Sequence, residues 1–367
     1  MRANVPAAVL ACVLGLRAAV AAVPAAGEIL ARAERAELEG KNEEAASDAT
    51  RVVVEAPGSA AASQASAVLG RVRLREGAYG EAAWWLERAG GDGSKELADL
   101  RALAVRSLLR QEGMGGAWRP YQDVAATEVR RPMALVLLPS GARALLDGRT
   151  ETLVCVGADG RKLPTEVGEV QAVAVRKDGK LLVAAGDQIY MVDPERPEAP
   201  TPFGGLGRFA PAAALAVDAT GAVWVADRKG TRIGRLDEGG AEPALVLESK
   251  GMRAEALAPL PPGLGIAVLD TRAGGLLSLD GAGGVHPMPA LPWGERGRPA
   301  ALASDAAGQL AVLDGRTGEV VLLDETGAVR DRVAAPASER EAPLVLALAL
   351  DGSIEVATSD GRLRRSP

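Results

Sequence analysis

The segment LAVDATGAVWVADRKGTRIGRLD, residues 215–237, holds three short runs divided by turn residues. Leu215 and Val217 flank an alanine, Gly221 interrupts, and Val223 and Val225 resume the alternation up to Asp227. The turn Asp227-Arg228-Lys229-Gly230 leads into a third run ending at Leu236-Asp237. Period-two alternation punctuated by Gly and Asp predicts successive antiparallel strands. A unit this small cannot bury both its faces, so it predicts copies of itself.

The second half of the chain carries six such copies in one register, with turn glycines at Gly141, Gly179, Gly221, Gly263, Gly308 and Gly352. Their spacings of 38, 42, 42, 45 and 44 residues suit one four-stranded propeller blade each. Four residues after each glycine, five in the fourth copy, an apolar column reads Leu145, Val183, Val225, Val268, Val312 and Val356. The strand-ending column reads Asp147, Ala185, Asp227, Asp270, Asp314 and Thr358. The strand before each glycine is small and apolar, as in AVAV at 172–175 and AALA at 300–303. Sheets that converge on an axis favour such residues. The sixth copy stops one strand short, so Tyr121–Val129 is expected to supply the missing outer strand and close the ring.

Residues 130–367 resemble the NHL-repeat β-propeller family, most closely at Asp218, Gly221, Val225-Ala226-Asp227 and Arg232-Ile233. The resemblance implies a closed six-bladed propeller that serves mostly as a binding platform, with some enzymatic relatives.

Ahead of it the period changes to helical. Residues 67–90, AVLGRVRLREGAYGEAAWWLERAG, place Leu69-Gly70, Gly77, Tyr79, Ala82, Leu86 and Ala89 at the spacing of a tetratricopeptide repeat, which they resemble. Gly40, Ala45, Val52 and Pro57 mark an earlier copy, and residues 97–113 a further first helix. The expected organisation is therefore a short tetratricopeptide-like α-solenoid at 27–113, a linker at 114–120 and an all-β propeller at 121–367. Residues 1–26 combine Arg2, the apolar run VPAAVLACVLGL and small residues at Ala19-Val20-Ala21. They read as a cleaved secretory signal, which implies an exported protein with no membrane span in the mature chain. Val9-Leu10-Ala11-Cys12 leaves a lipid anchor as the lesser alternative.

Composition excludes several classes. A net charge of −6 argues against nucleic acid as a partner. His286 is the lone histidine and Cys155 the lone cysteine beyond the signal, so neither a transition-metal cluster nor a disulfide is expected. Arginine-rich, asparagine-poor usage suits a GC-rich bacterial genome. No cofactor is implied. The Asp column suits turn capping better than calcium, because equivalent positions lie around a ring, too far apart to share an ion.

These readings favour a non-enzymatic protein-interaction scaffold. The alternative is a small-molecule hydrolase or lyase, lactonase-like, acting at the propeller mouth. The expected binding residues are Arg149, Lys229, Arg272 and Arg316, each following its blade's Asp on the face shared by the blade-linking loops. If turn N–H groups occupy those Asp carboxylates, the cations remain available to an acidic partner; otherwise each pairs with its own Asp. Trp84, off the buried face that Trp85 shares with Ala82 and Ala89, is a second candidate contact.

Overall fold

The computed structural model describes residues 25–366, apart from 91–93, 113–121, 127–128, 130, 139, 158–161, 164–166, 195, 295–296, 334–342 and 360. The signal segment, Cys12 and the expected linker at 114–120 therefore lie outside the described residues. None of the described helices is long and apolar enough to cross a membrane.

Six four-stranded antiparallel sheets form the propeller. Their innermost strands are Pro132–Leu137, Val170–Val175, Ala212–Val217, Ala254–Pro259, Pro299–Ser304 and Pro343–Leu348, heading blades 1 to 6. The glycine column takes its place for a backbone reason. All six turn glycines sit at φ between 78° and 88°, a region that L side chains adopt only with strain. Every second strand, such as Val223–Asp227, is buried along its whole length.

The innermost strands are not uniformly small, as converging sheets alone would suggest. In each, larger residues face the preceding blade, while smaller ones, mostly alanines, face the following one. Leu215 packs on Ala172 and Ala174 of blade 2, and Ala214 and Ala216 pack on Leu257 of blade 4. Leu302 meets Ala258, Leu346 meets Ala301, and Leu135 meets Ala347 across the seam. Large against small keeps every interface filled without widening the ring.

The ring closes as expected, through Gln122–Ala126, which pairs antiparallel with Arg362–Ser366 as the outer strand of blade 6. Arg143 of blade 1 and Glu355 of blade 6 meet in a buried ion pair at the same seam.

Five helices precede the propeller: α1 (Ala26–Leu38), α2 (Asn42–Glu55), α3 (Ala60–Arg75), α4 (Tyr79–Ala89) and α5 (Lys95–Gln111). Gly40 and Gly77, both at φ 74°, end α1 and α3 with left-handed caps. Gly70 lets α3 approach α4 closely, since a Cβ there would come within 2.6 Å of Leu86 Cγ. Buried Glu37 of α1 accepts two hydrogen bonds from Arg71 of α3 at 2.8 and 2.7 Å, and a third from Arg75 at 3.1 Å.

This helical layer rests on the turns that join first to second strands in blades 4 to 6. The backbone at Gly40 meets Pro262 and Gly263 of blade 4. Ala307 of blade 5 enters a buried cluster with Leu74, Leu86, Leu100 and Leu103. Gln309 Nε2 donates to Ser107 Oγ at 2.9 Å, and Arg110 donates to the carbonyl of Gly352 at 3.0 Å. Two ion pairs cross the same contact, with Arg106 at 3.4 Å from Asp351 and Arg110 at 3.9 Å from Asp331.

Candidate functional site

On the opposite face the innermost strands begin, and each begins with an irregularity. The register with the second strand shifts between Pro132 and Ala134, Val170 and Ala172, Ala212 and Ala214, Ala254 and Ala256, Pro299 and Ala301, and Pro343 and Val345. A bulge re-aims the extra residue. Those extra residues are Met133, Gln171, Ala213, Glu255, Ala300 and Leu344, and the first five line the mouth of a central cavity of about 250 Å³. Below them the wall is aliphatic, with Leu135, Val173, Leu215, Leu257, Leu302 and Leu346, and Ser304 lies toward the far end.

Each innermost strand is also the edge of its sheet. Half of its peptide groups have no partner strand, so the cavity wall offers backbone N–H and C=O groups as well as side chains.

The polar side chains at the mouth divide by their partners. Gln171 is a structural brace: its Nε2 donates to the Gly186 carbonyl at 3.1 Å and its Oε1 accepts the Ala212 N–H at 2.9 Å. Glu255 is the carboxylate among the described lining residues, and its Oε1 lies 2.8 Å from Arg253 Nη2. Reading the strands as merely small and apolar missed Glu255. The signal was present in the column before an alanine shared by five of the six copies, which runs Met133, Gln171, Ala213, Glu255, Ala300, Leu344 and holds one charge.

Arg149, Lys229, Arg272 and Arg316 all lie exposed on this same face. Their turns are tied to the blade-linking loops by backbone bonds, as in Gly148 N–H to Arg131 O at 2.9 Å and Gly315 N–H to Arg298 O at 2.8 Å. The Asp column does not neutralise them. Asp147 Oδ1 accepts the Arg149 N–H at 2.9 Å, and Asp227 Oδ1 accepts the Thr231 and Arg232 N–H groups at 2.8 and 3.0 Å. Asp270 Oδ1 accepts the N–H groups of Arg253, Arg272 and Ala273 at 2.9, 3.0 and 3.2 Å. Burial disfavours the Asp314 charge, yet the Thr317 hydroxyl and the N–H groups of Arg298 and Arg316 outweigh it and hold the carboxyl below its usual range.

Two glutamates on this face, Glu151 and Glu169, have φ of 53°. The turn position that Glu151 fills is glycine in other blades, at Gly230, Gly274, Gly318 and Gly361.

The remaining candidates lie elsewhere. Trp84 is 52% exposed on α4, edge-on to Trp85 with centroids 4.5 Å apart, and Arg88 lies 4.8 Å over its ring. The structure does not bring it together with the four cations. His286 sits on the turn face beside Asp280, 3.3 Å away. Burial pushes the Cys155 thiol up to about 11, which leaves it protonated and inert. Among the described residues no three His, Cys, Asp or Glu side chains converge as a metal site.

No family model matches the sequence, and no curated protein matches it. Solved structures do resemble the propeller. A virginiamycin B lyase from Staphylococcus aureus with quinupristin superposes with a TM-score of 0.50 at 12% identity, covering 67% of this chain and 98% of that one. A gluconolactonase from Xanthomonas campestris gives 0.52 at 18%, covering 67% and 87%. Regucalcin, a calcium-binding protein from Agrobacterium tumefaciens, gives 0.53 at 18%, covering 68% and 93%. The expectation of a non-enzymatic scaffold is corrected by these matches, because propellers that superpose on this one include enzymes. By its architecture the chain is a helical layer on a six-bladed β-propeller similar to those of a lyase and a lactonase.

Proposed function

We propose that the propeller mouth is the active site of a small-molecule hydrolase or lyase, with Glu255 as the group that moves the proton. One observation carries this reading: Glu255 is the carboxylate that the bulged strands aim into the cavity mouth, and Arg253 holds it at 2.8 Å. The Arg253 guanidinium orients this carboxylate at the opening, within reach of a bound molecule. In hydrolysis Glu255 would take a proton from the attacking water; in elimination, from a substrate carbon. In both cases that proton passes to the leaving oxygen. Unpaired N–H groups along the inner strand edges suit a developing oxyanion.

The enzymatic propellers named above support an enzymatic reading of this fold. A finer assignment accompanies the reading: NHL-type blades, tetratricopeptide-like hairpins at 27–113, and export directed by residues 1–26. The test is turnover of a panel of aliphatic lactones and 4-nitrophenyl esters by the wild type and by Glu255→Gln. A loss of about 10²–10⁴-fold in kcat is expected for the variant. No turnover above the uncatalysed rate, or turnover that survives the substitution, would overturn the proposal.

A further inference from the structure

We infer that the ligand admitted at this mouth is a small organic anion, drawn to the side of the opening formed by blades 3 and 4. This deepens the reading of the mouth as an active site and rests on it. The first ground is the fate of the Asp column. Its carboxylates accept turn N–H groups at 2.8 to 3.2 Å, so they brace the turns and do not screen the neighbouring cations at close range. Arg131, Arg149, Arg228 and Lys229 carry no ion pair among the described residues.

The second ground is the placement of charge around the opening. Arg208, Arg228, Lys229, Lys250 and Arg272 stand exposed in the loops of blades 3 and 4. Arg272 donates to the Lys250 carbonyl at 2.7 Å, which fixes its guanidinium without removing its charge. Exposed Glu151, Glu169 and Asp187 belong instead to the loops of blades 1 and 2, while Glu248 of blade 3 is matched by Arg232 at 3.0 Å. Glu255, on the innermost strand of blade 4, is already matched by Arg253. The opening is therefore polarised, and an anion entering it is turned with its charge toward blades 3 and 4. A charged rim around a low-dielectric wall focuses such a field.

The third ground is size. A cavity of about 250 Å³ admits a body no larger than a substituted ring or a short acyl chain. It excludes a folded partner, while the aliphatic wall and strand-edge peptides accept an apolar body. The charge is then left to the rim.

The experiment is calorimetric titration with benzoate, benzyl alcohol and benzylammonium, which share a body and differ in charge. In about 20 mM salt benzoate is expected to bind at least about tenfold more tightly than benzylammonium, and the difference should shrink in about 300 mM salt as screening shortens. Arg228→Glu, Lys229→Glu and Arg272→Glu together should reverse the preference. The matching triple alanine variant should abolish it, and it keeps the test valid if the charge reversal fails to fold. No measurable benzoate binding, equal binding of the three probes, or a preference unchanged in the alanine variant would overturn the inference. The measurement involves no turnover. Anion binding without catalysis on the ester panel would leave this inference standing and remove the enzymatic one.

Discussion

Arg143 and Glu355 lie 212 residues apart in the chain and meet as a two-pronged pair, Nε to Oε2 at 2.7 Å and Nη2 to Oε1 at 2.8 Å. The Glu355 side chain is 1% exposed and that of Arg143 is 9% exposed. They join blade 1 to blade 6, so the last interface of the ring holds a buried, two-pronged salt bridge beside its aliphatic contacts. Glu355→Ala leaves a buried guanidinium without its partner and should cost about 3–5 kcal/mol in urea unfolding. Replacing both residues with leucine should recover most of that loss, because the charge and its desolvation disappear together.

The outer strand of blade 6 makes a second prediction. A chain starting at Tyr121 keeps Gln122–Ala126 against Arg362–Ser366, while one starting at Arg131 leaves that edge open. Thermal melting should be several degrees lower for the shorter chain, with one cooperative transition in each. Equal melting temperatures would show that the strand does not hold the ring shut.

Asp305 sets a pH dependence at the contact between helices and propeller. Burial pushes its carboxyl up to about 6 from 3.8, although the N–H groups of Gln309 and Ala307 and the charge of Arg110 act the other way. The folded state thus holds this proton more tightly than the unfolded chain. Its stabilising contribution is complete below about pH 4 and is lost as pH rises through about 6. Asp351 works in the opposite sense: burial disfavours its charge, but Ser353, Arg365 and Arg106 lower its pKa, so its contribution is present at neutral pH and lost in acid. Between pH 4 and 7 the Asp305 effect should dominate the difference between wild type and Asp305→Asn. The wild type should lose melting temperature over that range relative to the variant; parallel profiles would rule the effect out.

Glu151 occupies a left-handed position, φ 53°, that costs a non-glycine residue about 1 kcal/mol. Glu151→Gly should therefore stabilise the propeller by about 0.5–1 kcal/mol, less the added flexibility of the unfolded chain. Chemical denaturation measures it directly. A destabilised variant would mean that the carboxylate makes a contact worth more than the strain.

Much of the fold could be read in advance because its constraints are local. The turn glycines must adopt positive φ, and Asp147, Asp227, Asp270 and Asp314 cap turns within a few residues of themselves. Such requirements leave a mark at a fixed spacing. The mouth was less legible, since a bulge moves one side chain without changing the apolar character of its strand. Glu255 is aimed by pairing with Ile266–Asp270, which no run of neighbouring letters records. Docking of the helices left still less trace. Ser107 and Gln309 are 202 residues apart, and each reads as an ordinary polar residue until the two surfaces meet.

Ring closure also has a consequence in time. Gln122–Ala126 pairs with Arg362–Ser366, so the earlier strand is made about 240 residues before its partner. At synthesis rates of about 5–20 residues per second, that is an interval of roughly 10–50 s. The helices can pack on one another meanwhile, because their contacts are short in sequence. The propeller cannot be completed: blade 1 stands beside an absent neighbour, one strand edge stays bare, and Arg143 stays hydrated until Glu355 arrives. The nascent chain is thus most open to mispairing over the same span in which its first blades are already formed.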